Sequence, residues 1–174
     1  MLLRGRPCPT VGSHMSRRSL KCRGQAVNTK ITGTWQKDMS RSTSMDAVAN
    51  LVGLSGLVKE GIKLIRGCEI AVDGSTFRMG VFSVVPIVKI NESYPLDGKE
   101  ASNMRRDLRF GTCRGALALR DDGTPLLRLR WDEPYRGEGL DEFRLVGQDE
   151  LHVVSSVTVG GRTVSYTSVH TRKA

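Results

Sequence analysis

The chain has 174 residues, a length that suits one domain. Its formal net charge is +9, but seven of its 27 Arg and Lys residues lie in residues 1–30, which contain no acidic residue. The rest of the chain carries 20 basic and 18 acidic residues. A nearly neutral body argues against a nucleic-acid-binding surface, because its electrostatic field is weak. No apolar run approaches the roughly 18 residues of a membrane-spanning helix, so we expect a soluble protein.

Residues 1–30 form a leader rich in Arg, Ser and Gly that lacks the apolar core of a secretory signal. This composition is typical of an organellar transit peptide, for a plastid rather than a mitochondrion. Two other readings stay open: an idle tail with Met15 as a second start, which would leave the protein cytoplasmic, and a basic arm that binds an acidic partner. We predict a folded domain over residues 31–174.

The folded pattern opens with a strand over residues 31–37 and then two short helices. Apolar residues recur at helical spacing near residues 44–53 and again near 55–66, and each stretch begins at a serine suited to an N-cap. Gly67 is the expected stop of the second helix. No helical pattern follows it.

The remainder is predicted to be strands separated by tight turns. The turn signals are Asp73-Gly74, Asp97-Gly98, Asp122-Gly123 and Gly160-Gly161. The strands between them are expected over residues 77–85, 104–110, 115–120, 126–131, 140–146, 151–159 and 162–172. Such a long meander must curl shut, because an open sheet would leave unpaired edges.

The last hairpin can be paired residue by residue. If Gly160-Gly161 is a two-residue turn, the pairs on one face are Val157 with Val164, Ser155 with Tyr166, Val153 with Ser168, and Leu151 with His170. That face mixes apolar and polar groups, as the wall of a ligand-filled lumen often does.

Together these features resemble the fatty-acid-binding proteins, a family of intracellular lipid-binding, calycin-like barrels. Gly33-Thr34-Trp35 resembles the family's first strand, the helix pair its lid, and Trp131-Asp132 the end of its Trp-Asp strand. The resemblance spans residues 31–173. It implies an all-β fold: a closed antiparallel up-and-down barrel of about ten strands, with a helix-turn-helix lid after the first strand. A lipocalin or another barrel is the alternative, because lipocalins also begin with Gly-x-Trp. Lipocalins carry their helix near the C-terminus, however, whereas the helices here directly follow the first strand.

Compared with the family, this sequence differs at the positions that bind a ligand carboxylate. Many members hold a ligand carboxylate with an inward Arg-x-Tyr on the last strand and another Arg on an earlier strand. Ser168, His170 and Phe143 stand at those positions here. The usual carboxylate clamp is therefore absent, and we expect a lumen that tolerates uncharged ligands.

Nine residues are predicted to contact a ligand. By strand pairing and by the resemblance, they are Leu127, Leu129, Phe143, Val153, Ser155, Tyr166, Ser168, His170 and Arg106. Arg128 and Arg130 should face outward. His170 could hydrogen-bond a ligand's polar end or ligate a haem iron, or be an ordinary polar residue. Arg106 shares the strand parity of Met104, Leu108 and Phe110, so it could anchor an anion or reach solvent at a strand end.

The sequence favours a non-enzymatic carrier of an apolar small molecule. No catalytic triad, phosphate loop or metal-ligand spacing is visible, and we predict neither a cofactor nor a metal. Cys68 and Cys113 are expected to be idle buried thiols. We expect a monomer that does not bind nucleic acid, with transient contact to an anionic membrane left open. The alternative is a barrel that serves as an interaction or structural subunit of an organellar complex. An isomerase-like or hydratase-like enzyme would need a titratable pair in the lumen.

Overall fold

The computed structural model describes residues 26–84 and 90–173. The predicted leader lies almost wholly outside the described residues, as does the end of the strand predicted over residues 77–85. Within the described ranges, the structure has a 3-10 turn at Thr29–Ile31 and two α-helices, α1 (Asp46–Leu51) and α2 (Gly56–Lys63). The strands are β1 (Gly33–Asp38), β2 (Ile65–Asp73), β3 (Thr76–Ser83), β4 (Ile90–Pro95), β5 (Ala101–Met104), β6 (Thr112–Leu119), β7 (Pro125–Trp131), β8 (Gly137–Val146), β9 (Glu150–Val159) and β10 (Arg162–Arg172).

The ten strands make one antiparallel sheet in the order β4-β3-β2-β1-β10-β9-β8-β7-β6-β5. The sheet curls into a nearly closed barrel, as predicted, with β4 and β5 as its two edges. A side chain joins these edges: the Asn103 amide on β5 accepts from the Ser93 backbone N–H at 3.0 Å and donates to the Ser93 carbonyl at 3.3 Å. One asparagine thus satisfies backbone groups that an open edge would leave exposed.

The predicted turns fall where the sequence places them. Gly74, Gly98 and Gly123 have positive φ angles in the β2–β3, β4–β5 and β6–β7 turns, a conformation that glycine adopts without steric cost. Gly160 and Gly161 form the two-residue β9–β10 turn, and the register pairs Ser155 with Tyr166 and Val153 with Ser168, as predicted. Because side chains alternate along a strand, this register decides which of them face the lumen.

Two predicted elements were wrong. Gly67 does not stop the second helix, which ends at Lys63; it belongs to β2, where a Cβ would overlap the Trp35 carbonyl. A close backbone approach in the sheet, rather than a helix cap, therefore requires glycine there. The strand predicted over residues 104–110 is also wrong, because β5 ends at Met104 and the chain turns through Leu108, whose φ is +59°.

One end of the barrel is filled by a hydrophobic core that contains Trp35, Phe77, Leu127 and Phe143. Ile31 closes this end from the 3-10 turn, and its carbonyl accepts a 2.8 Å hydrogen bond from the Trp35 indole. The packed chain thus begins before β1. Its Ile31 side chain and the core together block the lumen at this end. No helix in the described residues has the length and apolarity needed to cross a membrane.

The arginines predicted to face outward do so. Arg128 and Arg130 are both exposed on β7, and Arg130 forms an ion pair with Glu100 at 2.7 Å. Nearby, Glu142 pairs with both Arg120 and Arg144. This face is therefore a network of surface ion pairs rather than an uncompensated basic stripe.

Candidate ligand-binding site

A cavity of about 210 Å³ lies between the filled end of the barrel and the two helices. The helices cover it with Val48, Ala49, Val58 and Ile62. Its strand walls are mainly apolar, with Met79, Val81, Ile90, Leu129, Trp131, Phe143, Val153 and Val157 among the lining residues. Apolar walls that enclose a few polar groups are typical of small-molecule sites.

The structure brings eight of the nine predicted residues to this cavity. They are Leu129, Phe143, Val153, Ser155, Tyr166, Ser168, His170 and Arg106. The exception is Leu127, which is fully buried in the core at the filled end and does not line the cavity. Leu127 does face inward, but the closed end of the barrel lies at its level.

Arg106 reaches the lumen, although not from the strand that suggested it. It projects from the loop after β5, and its Nε and Nη2 donate to the two carboxylate oxygens of Glu92 at 2.6 and 2.7 Å. Its Nη1 donates to Asp141 Oδ2 at 2.6 Å. Both carboxylates are buried, and together they compensate the charge of the guanidinium. Arg106 therefore has no free charge with which to anchor a ligand anion.

A polar stripe continues from this network along β9 and β10. The Ser155 hydroxyl donates to Asp141 Oδ1 at 2.6 Å, which satisfies the carboxylate oxygen next to the one that Arg106 binds. Tyr166, the register partner of Ser155, lies next to it in the wall, and burial raises the pKa of its phenol. Tyr94 is fully buried in the core and does not line the cavity. The lumen thus has one polar wall, and the rest of its lining is mainly apolar.

His170 lies at the end of the stripe and is only 5% exposed. Burial lowers its pKa to about 4, so the ring is neutral at physiological pH. Its Nδ1 atom has no hydrogen-bond partner within the described part of the chain. A neutral, unsatisfied ring nitrogen in a cavity wall can bind a ligand's polar end.

Lys37 on β1 is the register partner of His170, lines the same cavity and is 8% exposed. Burial lowers the pKa of its amine. No carboxylate of residues 26–84 or 90–173 forms an ion pair with it, and the adjacent Asp38 binds Ser40 and Arg41 instead. A buried lysine without an acidic partner is uncommon, because the charged form is costly to desolvate.

Sequence reasoning missed two important residues, Lys37 and Glu92. Alternation from Trp35 would have placed Lys37 on the inner face, since residues two apart share a face of the sheet. Glu92 escaped because strand β4 was not recognised: the central acid in Ile90–Pro95 obscures the apolar alternation of Ile90 and Tyr94. Both omissions have the same origin, namely that a charged residue was assumed to face water.

The loop after β5 also fastens the lid. The Arg109 guanidinium donates to the Val52 and Gly53 carbonyls at the end of α1, both at 2.8 Å, and lies over the Tyr135 ring at 4.5 Å. Asp107 accepts from Arg109 at 2.9 Å and from the buried Arg105 at 2.7 Å. This loop thus helps to hold the end of α1 in place.

The two body cysteines are free and buried. Both line the cavity, and burial raises the pKa of the Cys68 thiol to about 12 and that of Cys113 to about 11. Both thiols are therefore protonated and unreactive at physiological pH. The described residues contain no cluster of His, Cys, Asp and Glu that could hold a metal ion.

No protein-family model and no curated protein matches this sequence. Solved structures do match its fold. The Schistosoma mansoni fatty acid binding protein in complex with arachidonic acid has a TM-score of 0.66 at 17% identity, over 84% of this chain and 98% of that one. The zebrafish ileal bile acid-binding protein complexed with cholic acid has a TM-score of 0.60 at 13% identity, over 83% of this chain and 99% of that one. A secretory abundant heat soluble protein from Ramazzottius varieornatus has a TM-score of 0.64 at 14% identity, over 84% and 98%.

These matches define the fold class. The chain has the fold of the fatty-acid-binding-protein-like barrels, which its first strand, helix pair and meander predicted. At such low identity the likeness concerns the fold, so a function must be argued from the lumen itself.

Proposed function

We propose that the barrel is a non-enzymatic carrier that holds one apolar small molecule, such as a lipid, in its lumen. The observation that carries this proposal is the apolar cavity beneath the helical lid. Burial of a ligand's apolar surface there would drive binding by about 25 cal/mol per Å². The volume is below the roughly 300 Å³ of typical ligand pockets, which favours a slim ligand over a bulky one.

The charges in the lumen support a ligand that is mainly uncharged. The Glu92–Arg106–Asp141 network carries one excess negative charge, which would repel a carboxylate placed beside it. The structural relatives that bind fatty acids and bile acids make a lipid the first class of ligand to test. Because these fatty acid and bile acid binding proteins share the fold, they also support a binding role without catalysis.

One observation favours the alternative, a barrel that serves as a structural subunit of a complex, and it comes from the same ion network. Arg106 spans part of the lumen to reach Asp141, as a side chain in a filled barrel would. The cavity that remains beneath the lid nevertheless favours the carrier. An organellar location, with the leader removed before the packed chain begins, remains part of our proposal.

Native mass spectrometry of the protein purified from its own source would test the carrier role. We expect a population that is heavier than the polypeptide by one small molecule, which organic extraction releases. Incubation of the extracted protein with a neutral straight-chain alcohol, 1-decanol, should restore one bound molecule per chain. If only the bare polypeptide is observed both before and after incubation, the carrier proposal is wrong.

A further inference from the structure

The Lys37 amine occupies an unusual place in the barrel. It lies in the wall of an apolar cavity, 8% exposed, beside the neutral His170. The two described arginines that line the lumen have their charges compensated: Arg106 by Glu92 and Asp141, and Arg105 by Asp107. Lys37 has no carboxylate partner among the described residues. Desolvation therefore shifts the amine toward its uncharged form.

An uncharged amine in a water-poor cavity is a nucleophile. Lysines that are desolvated in this way form Schiff bases with carbonyl compounds, whereas surface lysines are almost fully protonated and unreactive at neutral pH. We propose that Lys37 binds apolar aldehydes covalently, as an imine, inside the lumen. This inference rests on the proposed function, since the aldehyde must first enter the same cavity as any other apolar ligand.

The chemistry balances without any further reactant. The Nζ lone pair attacks the aldehyde carbon and a C–N bond forms; both amine hydrogens then leave with the carbonyl oxygen as water, and C=N remains. His170 lies opposite Lys37 in the strand ladder, with an unpartnered Nδ1 that can accept or return a proton during the loss of water. The protonated Cys68 thiol does not compete for the carbonyl carbon, because the thiolate is the reactive form.

The cavity also selects which aldehyde can react. Met45, Val48 and Ala49 line it from the lid, so a hydrophilic aldehyde would lose its hydration without compensation. A straight-chain alkyl aldehyde would bury its chain against these walls and place its carbonyl at the polar stripe. The enclosing lid would protect the imine from hydrolysis.

Decanal with sodium cyanoborohydride provides the test on the full-length protein near neutral pH. The reduced adduct adds the mass of decanal, less one oxygen atom, and peptide mapping locates it. We expect one adduct per chain at Lys37, formed at least about tenfold faster than at any surface lysine, because the apolar cavity concentrates decanal around a desolvated amine. An excess of dodecane should slow it by competing for the cavity.

Two variants make the result decisive. Lys37→Met should abolish the single fast adduct, and Lys37→Arg should do the same while it preserves the length and polarity of the side chain. Lys99→Met removes an 81% exposed lysine and should change nothing. If decanal labels surface lysines at random while Lys37 stays unmodified and a fluorescent apolar probe still binds, the imine inference is wrong and the carrier function stands. If the probe does not bind saturably to the wild-type protein, the carrier function is wrong instead.

Discussion

Arg106 and Glu92 form a two-bond ion pair inside the barrel, at 2.6 and 2.7 Å. With Asp141, this pair links the β4 edge of the sheet to β8 on the opposite wall. A sequence-based search for a ligand anchor finds Arg106 but cannot find its partners, because they come from strands distant in sequence. The arginine therefore supports the shape of the lumen rather than the charge of a ligand.

Arg106→Met should destabilise the protein by about 3–5 kcal/mol, because it leaves two buried carboxylates uncompensated. Urea denaturation measures this change. The matched control is Arg130→Met, which breaks the exposed pair with Glu100 and should cost less than about 1 kcal/mol. Equal effects of the two substitutions would mean that the lumen network is not buried as described.

The lid should loosen when its clasp is removed. Arg109→Ala deletes both hydrogen bonds to the end of α1, which should reduce stability by about 1–3 kcal/mol and raise amide hydrogen exchange in residues 48–54. Arg114→Ala, which removes an exposed pair with Asp132, is the control. Unchanged exchange across α1 in Arg109→Ala would show that the clasp does not hold the lid.

Stability should fall in mild acid because of His170. Its pKa is about 4 in the folded protein and about 6.5 when unfolded, so the unfolded state binds the proton first as the pH falls. This group alone should remove about 2 kcal/mol between pH 7 and pH 5. Denaturant titrations at the two pH values measure the loss, and His170→Gln should reduce it by that amount. An identical pH dependence in the variant would contradict a buried neutral histidine.

The boundary of the folded chain should lie just before Val27. Val27 and Ile31 are both buried, and the Asn28 N–H bonds the Gly123 carbonyl at 3.2 Å. Deletion of residues 1–25 should leave the free energy of unfolding unchanged. Deletion of residues 1–31 should cost about 2–5 kcal/mol, because it removes the buried Ile31 side chain. If the leader is a transit peptide, N-terminal sequencing of mature protein should find a start between about residue 22 and Val27.

Local patterns predicted most of the fold. Glycine turns and strand alternation gave the β9–β10 register and, with it, the inward positions of Ser155, Tyr166 and His170. Two kinds of feature were missed. Gly67 looks like a helix stop because it follows a helical pattern in the sequence. Its actual role, to let β2 approach the Trp35 carbonyl on β1, becomes visible only in the folded sheet. Glu92 looks like a surface residue because its partner Arg106 comes from another element of the fold, and Lys37 looks like one because lysine is rarely buried without an acidic partner.

Titration with a fluorescent apolar probe tests the central claim most directly. The wild-type protein should bind one probe per chain, saturably and with little dependence on salt, because a neutral ligand has no charge interaction to screen. Val153→Trp should weaken binding by at least about tenfold, since it fills the cavity, whereas Val154→Trp places the same side chain on the opposite face of β9 and should not. Equal loss in both variants, or no saturable binding to the wild-type barrel, would contradict a ligand-binding lumen.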